Sequence, residues 1–462
     1  MIGAHDALII GAGQAGPPLA QRFTAAGMSV GLVERKLFGG TCVNTGCIPT
    51  KTLIASAAVA HLARRAAEFG VNAGGEIAVD MKAVKARQDS ISTQSRVGVE
   101  SWLEHMERCT VYRGHARFVS DHEVQVGEDR ITAPRIFINV GGRALVPDLP
   151  GLDSVSVLTN STILDLDQRP QHLIIVGGSY IGLEFAQMYR RFGAQVTVIE
   201  KSPRLIAHED EDISAAVRAI LEAEGVAVRV DAQCIRFEAR GSDIAVGLDC
   251  GSGAPIVVGS HVLLAIGRRP NTDDLGLDKA GIKTDARGYI TVDDELRTSA
   301  AGIWALGDCN GRGAFTHTSY NDFEIVAANL LDGEQRRVSD RIPAYALYVD
   351  PPLGRVGMSQ AQARASGRPL LVGRRPMTRV GRAVEKGETQ GFMMAIADAE
   401  TYQILGAAIL GVGGDEAIHG LLDAMNARIP YTVLQRAVPI HPTVSELIPT
   451  LLSEMKPIAA EA

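Results

Sequence analysis

Two cysteines, Cys42 and Cys47, stand close together in the run GGTCVNTGCIPTK. A pair at this spacing reads as redox or metal chemistry rather than as a structural staple. Cys-x4-Cys is not a common zinc spacing, and no second pair lies nearby to complete four ligands. Redox chemistry is therefore expected, and no metal site. A helical run follows the second cysteine. A thiol near a helix start feels partial positive charge and ionises more readily, and Lys51 adds a cation. Far along the chain, IHPTVSE sets His441 shortly before Glu446, at a proline turn. An imidazole oriented by an acid suits proton transfer. The other cysteines, Cys109, Cys234, Cys250 and Cys309, are scattered singly and read as small buried residues.

The elements around the cysteine pair carry a second signal. Residues 7–10 (ALII) read as a short buried strand. Gly11, Gly13 and Gly16 follow in G-x-G-x-x-G spacing, a helix continues from Leu19 to Ala26, and SVGLVE forms the next strand, ending at Glu34. This is the βαβ dinucleotide fingerprint in its required context. The first glycine makes the tight turn, the second lets the backbone approach a pyrophosphate, and the third lets helix and strand pack closely. The helix start offers free N–H groups to phosphates, and Glu34 can accept hydrogen bonds from a ribose diol. The pattern recurs: LIIV (173–176) leads into Gly177, Gly178 and Gly182, a helix, and QVTVIE ending at Glu200. Glu34 lies as far beyond Gly11 as Glu200 lies beyond Gly177. One position departs, because Ser179 stands where the middle glycine belongs. Two such units imply two dinucleotides, and hence electron transfer between them.

Composition agrees with a large soluble catalyst. At roughly 150 residues per domain, 462 residues suggest about three domains with ample cores. Hydrophobic residues at 46% and charged residues at 21% are ordinary globular usage, which excludes disorder, collagen and coiled coil. A net charge of -7 argues against a nucleic-acid partner. No apolar run approaches the ~18 residues of a membrane span. MIGAHDALIIGAG lacks a basic start and carries Asp6, so it is not a secretory signal. Six cysteines are too few for a disulfide scaffold, and a cytoplasmic location is expected. An amphipathic helix is expected over about 80–108, then short strands over 110–140. The Gly- and Pro-rich runs NVGGRALVPDLPG (139–151) and LLAIGRRPN (263–271) look like domain crossings. From about 341 the strands YALYV, GFMMAIA and ILGAAIL alternate with the helix DEAIHGLLDAMNA and another after Pro449, which suits a separate α+β domain.

GGTCVNTGCIPTK, the paired fingerprints and TSAAGIWALGD (298–308) together resemble the flavin-dependent class I pyridine nucleotide–disulfide oxidoreductases, over nearly the whole chain. The resemblance implies an α/β fold of two nested Rossmann-like domains and a C-terminal α+β dimerisation domain. Residues 1–150 and 271–340 would bind FAD, 151–270 NAD(P), and 341–462 would form the interface of a homodimer. Cys47 would be the charge-transfer thiol against the flavin and Cys42 the interchange thiol facing substrate. Lys51 would sit near flavin N5, paired with Glu184, and Tyr180 would gate the nicotinamide pocket. Asp308 would bind the ribityl chain, with Ala314, Phe315 and Thr316 by the ring. Thr41 and Gly141 join the expected FAD contacts, and Gly267 the nicotinamide contacts. His441 and Glu446 would act as an acid–base pair in the partner subunit's active site.

The nicotinamide reads as NADH rather than NADPH, because Glu200 would repel a 2′-phosphate, although Lys201 and Arg204 follow closely. Within the family the resemblance is greatest to mercuric-reductase-like flavoproteins. The chain departs from them in lacking an N-terminal metal-binding domain and any cysteine after Cys309. Weak Hg(II) reduction is therefore expected, and better turnover of a disulfide or small electron acceptor. A dihydrolipoyl dehydrogenase subunit of a multienzyme complex and a low-turnover flavin redox sensor remain open. Two charged stretches read as functionless: residues 208–212 as charges favouring a helix N-terminus, and the basic run from Met377 to Gln390, with Arg375 just upstream, as a solvated loop.

Overall fold

The computed structural model describes residues 2–249 and 255–458. Short apolar runs alternating with helices make parallel strands that are covered on both faces. Five such strands lie in the order Ile303–Ala305, Ile136–Ile138, Ala7–Ile10, Val30–Glu34, Cys109–Arg113. Each neighbouring pair is parallel. Register sets Ile9 beside Leu32 and Phe137, and all three are fully buried with Leu19 and Phe23 of the helix Gly16–Ala25. Burying each such side chain contributes roughly 1.5–3 kcal/mol. The late strand Ile303–Ala305 carries the segment containing Asp308 to the end of the sheet where the first fingerprint turns.

A second parallel sheet repeats the plan, in the order Ala227–Arg229, Gln195–Ile199, His172–Val176, His261–Leu264. The helix Tyr180–Arg191 packs on one face through Leu183 and Ala186. An antiparallel sheet of Gln233–Arg240, Asp243–Asp249 and Ile256–Gly259 covers the other, bringing Phe237 and Val246 against Ile174 and Val262. The two expected crossings pair with each other: Gly142–Ala144 runs antiparallel to Arg268–Pro270. The Arg143 guanidinium locks this ribbon, donating to the Pro270 carbonyl at 3.1 Å and to Asn271 Oδ1 at 2.9 Å.

The C-terminal part is an antiparallel sheet in the order Ala344–Leu347, Leu353–Gly357, Ile404–Leu410, Phe392–Asp398, Leu370–Pro376, Lys456–Pro457. Helices His419–Asn426 and Ile448–Ser453 cover one face through Leu421, Leu451 and Leu452. Leu353, Met394, Ile396 and Leu410 point the other way, into the core that contains Leu183 and Phe185. The fold class is thus the one expected, two Rossmann-like parallel sheets and a C-terminal α+β unit.

Several local expectations need adjusting. The long amphipathic helix runs Met81–Glu104 and is capped by Asp80, which accepts from the N–H groups of Lys82 and Ala83. The stretch Met377–Gln390 is not a solvated loop. It forms a turn at Met377–Arg379 and the helix Gly381–Glu385, with Met377, Val380 and Ala383 fully buried. The apolar spacing of three residues creates that buried stripe. Arg375 is itself buried, 2.8 Å from Glu454. In the acidic run, Asp210 precedes the helix Glu211–Ala223 without capping it. Its carboxylate instead accepts from the N–H groups of Gln360 and Ala361, at the start of the helix Gln360–Ala365. Cys309 is buried and Cys109 half-buried. Cys250 and the side chain of Cys234 lie outside the described residues. Among the described residues, no helix is long and apolar enough to cross a membrane.

Candidate active site

The two fingerprints fold by the same steric rule. Gly11 and Gly177 have φ of 110° and 116°. A Cβ there would lie 2.2 Å from the Asn139 carbonyl oxygen and 2.3 Å from that of Ala265, so only glycine fits. Gly16 and Gly182 let each helix begin against its strand: a Cβ would fall 2.3 Å and 2.1 Å from the oxygens of Gly11 and Gly177. The acids then close the loops. Glu34 accepts from the N–H groups of Ala12 at 2.9 Å and Lys36 at 2.8 Å. Glu200 accepts from those of Gly178 at 2.7 Å and Ser202 at 2.8 Å. Each carboxylate oxygen keeps a lone pair for a ribose hydroxyl. Ser179 sits at φ -107°, ψ -175°, extended backbone that any residue adopts, so the departure from glycine brings no strain.

One cavity of about 1830 Å³ joins both cradles. Ordinary ligand pockets span ~300–1,000 Å³, so this one has room for two dinucleotides. Gly13, Glu34, Thr41, Gly141, Asp308 and Ala314 line the first cradle's side. Gly177, Gly178, Glu200 and Gly267 line the second. Cys42, Cys47, Lys51, Tyr180, Glu184, Phe315 and Thr316 line it too. FAD and a nicotinamide fit this donor set: backbone N–H groups at two helix starts for pyrophosphates, and a strand-end acid for each ribose. Gly16 and Gly182 do not line the cavity and act by close packing. His441 and Glu446 lie outside it.

Cys42 sits in the short helix Gly40–Asn44, and Cys47 opens the helix Cys47–Arg64. The two thiols act on each other: the neighbouring Cys42 pulls Cys47 down to about 6 and is itself pushed up. Thr316 Oγ1, 3.3 Å from Cys47 Sγ, and the Lys51 ammonium lower Cys47 further, against burial and the Glu184 charge. Lys51 Nζ lies 2.8 Å from Glu184 Oε2, and Glu184 is only 7% exposed. The second Glu184 oxygen accepts from the Tyr348 N–H at 3.0 Å, and the ammonium sits 4.6 Å over the Tyr348 ring.

Burial raises the Asp308 carboxyl, opposed by the Arg268 guanidinium at 3.4 Å. Two residues here were not foreseen. Arg268 also donates to the Gly142 carbonyl at 2.7 Å. Asn139 accepts from the Gly16 N–H at 3.2 Å and donates to the Leu306 carbonyl at 3.0 Å, tying the first fingerprint to the Asp308 segment. Asn139 begins the run NVGG, but nothing local marks its side chain as a tie, because its partner lies 167 residues on.

His441 Nδ1 is 2.9 Å from Glu446 Oε2. With Nδ1–H donated to the carboxylate, Nε2 is free to take a proton. The imidazole is 80% exposed. Within one chain the structure therefore brings the thiols, Lys51, Glu184 and Tyr180 together and leaves the His–Glu pair apart.

The family model described as pyridine nucleotide-disulphide oxidoreductase matches residues 5–322, and the model of that family's dimerisation domain matches residues 343–452. The chain belongs to this family of flavin-dependent oxidoreductases, class I, which pair FAD with a pyridine nucleotide. Among its relatives is the probable pyridine nucleotide-disulfide oxidoreductase RclA of Escherichia coli, 35% identical over 98% of this chain and 99% of that one. A mercuric reductase of Streptomyces lividans is 34% identical over 96% of this chain and 94% of its own length. A dihydrolipoyl dehydrogenase of Thermus scotoductus is 33% identical over 96% and 95%. The solved Cu(II) complex of the HOCl-induced flavoprotein disulfide reductase RclA superposes with a TM-score of 0.89 at 34% identity, covering 98% of this chain and 99% of the other.

Proposed function

We propose that the chain works as a cytoplasmic homodimer that carries electrons from NADH through FAD and the Cys42–Cys47 pair to a disulfide or another small electron acceptor. The observation that carries this reading is geometric: both thiols line the cavity that joins the two cradles, Cys47 Sγ lies 3.3 Å from Thr316 Oγ1, and Lys51 is held 2.8 Å from Glu184. These neighbours favour Cys47 as the sulfur that holds charge and leave Cys42 to hold a proton. The FAD-binding part would comprise 1–150 and 271–340, the nicotinamide-binding part 151–270, and the interface 341–462.

When bound, FAD and nicotinamide supply hydride transfer and a two-electron relay. The chain's own residues do the rest. Gly11, Gly13, Glu34, Thr41, Gly141, Asp308, Ala314, Phe315 and Thr316 would hold the first group, with Gly16 packing its helix against the strand. Gly177, Gly178, Glu200 and Gly267 would hold the second, with Gly182 packing likewise and Tyr180 as a movable cover over the nicotinamide site. Two electrons and one proton break the Cys42–Cys47 bond, leaving Cys47 as thiolate and Cys42 as thiol. Lys51 balances the thiolate, and Glu184 holds Lys51 in place. His441 of the partner subunit, oriented by Glu446, takes the Cys42 proton as its sulfur attacks an acceptor disulfide. The departing acceptor thiolate takes that proton back. Cys47 then attacks Cys42, the second acceptor thiol leaves with one further proton, and the intrachain disulfide returns.

NADH is favoured because Glu200 would bind the ribose 2′-hydroxyl and repel a 2′-phosphate, while Arg204 is turned onto the carbonyls of Ala207 and Glu209 at 3.2 Å and 3.3 Å. A second reading, metal reduction, is favoured by the Cu(II) complex of the Escherichia coli relative. Soft thiolates suit copper and mercury. Among the described residues no group of three or more His, Cys, Asp or Glu side chains could hold a metal ion; the Cys42–Cys47 pair would pass on the electrons, with two Cu(II) ions reduced per NADH. Purified protein assayed with NADH against lipoamide, glutathione disulfide, Cu(II) and Hg(II) tests both readings. Turnover of a disulfide supports the first, and sustained Cu(II) reduction with no disulfide turnover supports the second. NADH oxidation with none of them overturns both.

A further inference from the structure

The acidic run 208–212, which the active site does not use, places Glu209 directly behind Tyr180. Glu209 is 2% exposed. One of its oxygens, Oε1, accepts from two phenols at once, Tyr180 at 3.0 Å and Tyr345 at 2.7 Å. The other, Oε2, has no hydrogen-bond partner and stands 3.7 Å from Nη1 of Arg355, which also lacks one. Arg355 is 1% exposed and holds Asp210 through its second nitrogen at 3.1 Å. Tyr180 lines the cavity, whereas Glu209, Tyr345 and Arg355 do not.

The elements involved come from different parts of the fold. Tyr180 opens the helix Tyr180–Arg191 beside the second fingerprint, and Tyr345 and Arg355 belong to the first two strands of the C-terminal sheet. The Tyr180 and Tyr345 rings lie 5.7 Å apart, and the Tyr345 ring stacks on Phe315 at 5.6 Å and 6°. The Tyr345 ring is thereby held on two sides, and so is the carboxylate its hydroxyl serves. Of the two phenols on Glu209, only Tyr180 lines the cavity.

We infer that Glu209 is a positioning residue for nicotinamide entry: a fixed, buried carboxylate that tethers the Tyr180 ring over the nicotinamide site and is left behind when the ring swings out. The inference rests on the reading of Tyr180 as that site's cover. When Tyr180 leaves, Glu209 keeps the Tyr345 hydroxyl and the Arg355 charge, so opening exposes no unpaired buried anion. The tether sets how often the site is open. A binding-competent state populated only in part weakens apparent affinity by its population.

The test compares Tyr180→Phe, Glu209→Gln and the double variant as flavin-loaded dimers. Rapid mixing gives the apparent Kd for NADH and the limiting rate of flavin reduction. A charge-assisted hydrogen bond lost from the closed state lowers the apparent Kd about tenfold in either single variant, a larger change than in the limiting rate, and makes the reduced enzyme's reaction with oxygen faster. In the Tyr180→Phe background, Glu209→Gln changes nothing further. Tyr180→Phe leaves the buried Arg355–Glu209 pair intact, so it reads the tether even where Glu209→Gln fails to fold. An unchanged Kd in Tyr180→Phe, or a Glu209→Gln effect of equal size in both backgrounds, overturns the tether. Tyr180→Ala separates the two ideas. If Kd and oxygen reactivity move with Ala but not with Phe, the cover stands and the tether falls. If neither substitution moves them, both fall.

Discussion

Cys47 Sγ and Thr316 Oγ1 lie 3.3 Å apart across 269 residues of chain. Thr316 opens the helix Thr316–Ala327, and Cys47 opens Cys47–Arg64, so two helix starts converge on one sulfur. Partial positive charge from both favours the thiolate.

The thiolate's neighbours can be told apart by sign. In the reduced protein, the ultraviolet absorbance of Cys47 thiolate should rise with a midpoint of about 6. Thr316→Val should raise it, because the hydroxyl that favours the thiolate is gone. Lys51→Met should raise it, and Glu184→Gln should lower it, because the ammonium favours the thiolate and the carboxylate opposes it. Movement of the last two in the same direction would remove electrostatics as the cause.

Cys42→Ser should leave a flavin-loaded protein with Cys47 still ionised and should cut disulfide reduction by ~10³-fold or more, since the attacking sulfur is gone. Steady-state assays with lipoamide and glutathione disulfide decide it. Normal turnover would reassign the interchange role.

His441 is 80% exposed and outside the cavity that holds the thiols. Cys42→Ser and His441→Ala proteins should each be inactive, and exchange of subunits between them should restore part of the activity, because a mixed dimer has one intact site. Proven exchange without recovery would mean that the site is not shared.

NADH should give a higher kcat/KM than NADPH. Glu200→Ser should shift the ratio toward NADPH by ~10-fold or more, as a like-charge contact with the 2′-phosphate disappears. A native preference for NADPH would show that Lys201 outweighs Glu200.

The two cradles should fail separately. Gly11→Ala drives a Cβ to 2.2 Å from a backbone oxygen and should abolish flavin retention. Gly177→Ala meets its barrier at 2.3 Å and should leave a yellow protein that no longer binds nicotinamide. Flavin content and NADH titration read the two outcomes independently.

What the sequence revealed follows from how local each feature is. The fingerprints, the Cys pair and the His441–Glu446 pair are each written within one short run, so residue type and spacing suffice. The Lys51–Glu184 pair joins distant residues and came only from family resemblance. Asn139, Tyr348 and Glu209 stayed hidden because each acts on a backbone or side chain that the fold alone brings near. Glu209 and Asp210 looked like a helix-start charge cluster, yet burial turned both toward the C-terminal sheet. The basic run after Met377 misled in the other direction: its arginines drew the eye from the buried Met377, Val380 and Ala383.

The ribbon formed by Gly142–Ala144 and Arg268–Pro270 gives the chain one doorway for departure and return. Seen from the five-stranded sheet, everything between is a single long loop whose mouth is already shut by three residue pairs. Doubling the length of such a loop adds only ~0.6 kcal/mol of closure cost. The enclosed unit is therefore an insertion by topology, fastened a second time where Leu183 and Phe185 share a core with Leu353, Met394, Ile396 and Leu410. The doorway is not its only fastening: the Lys51–Glu184 pair and the buried Arg355–Asp210 pair hold the unit against both other parts of the fold.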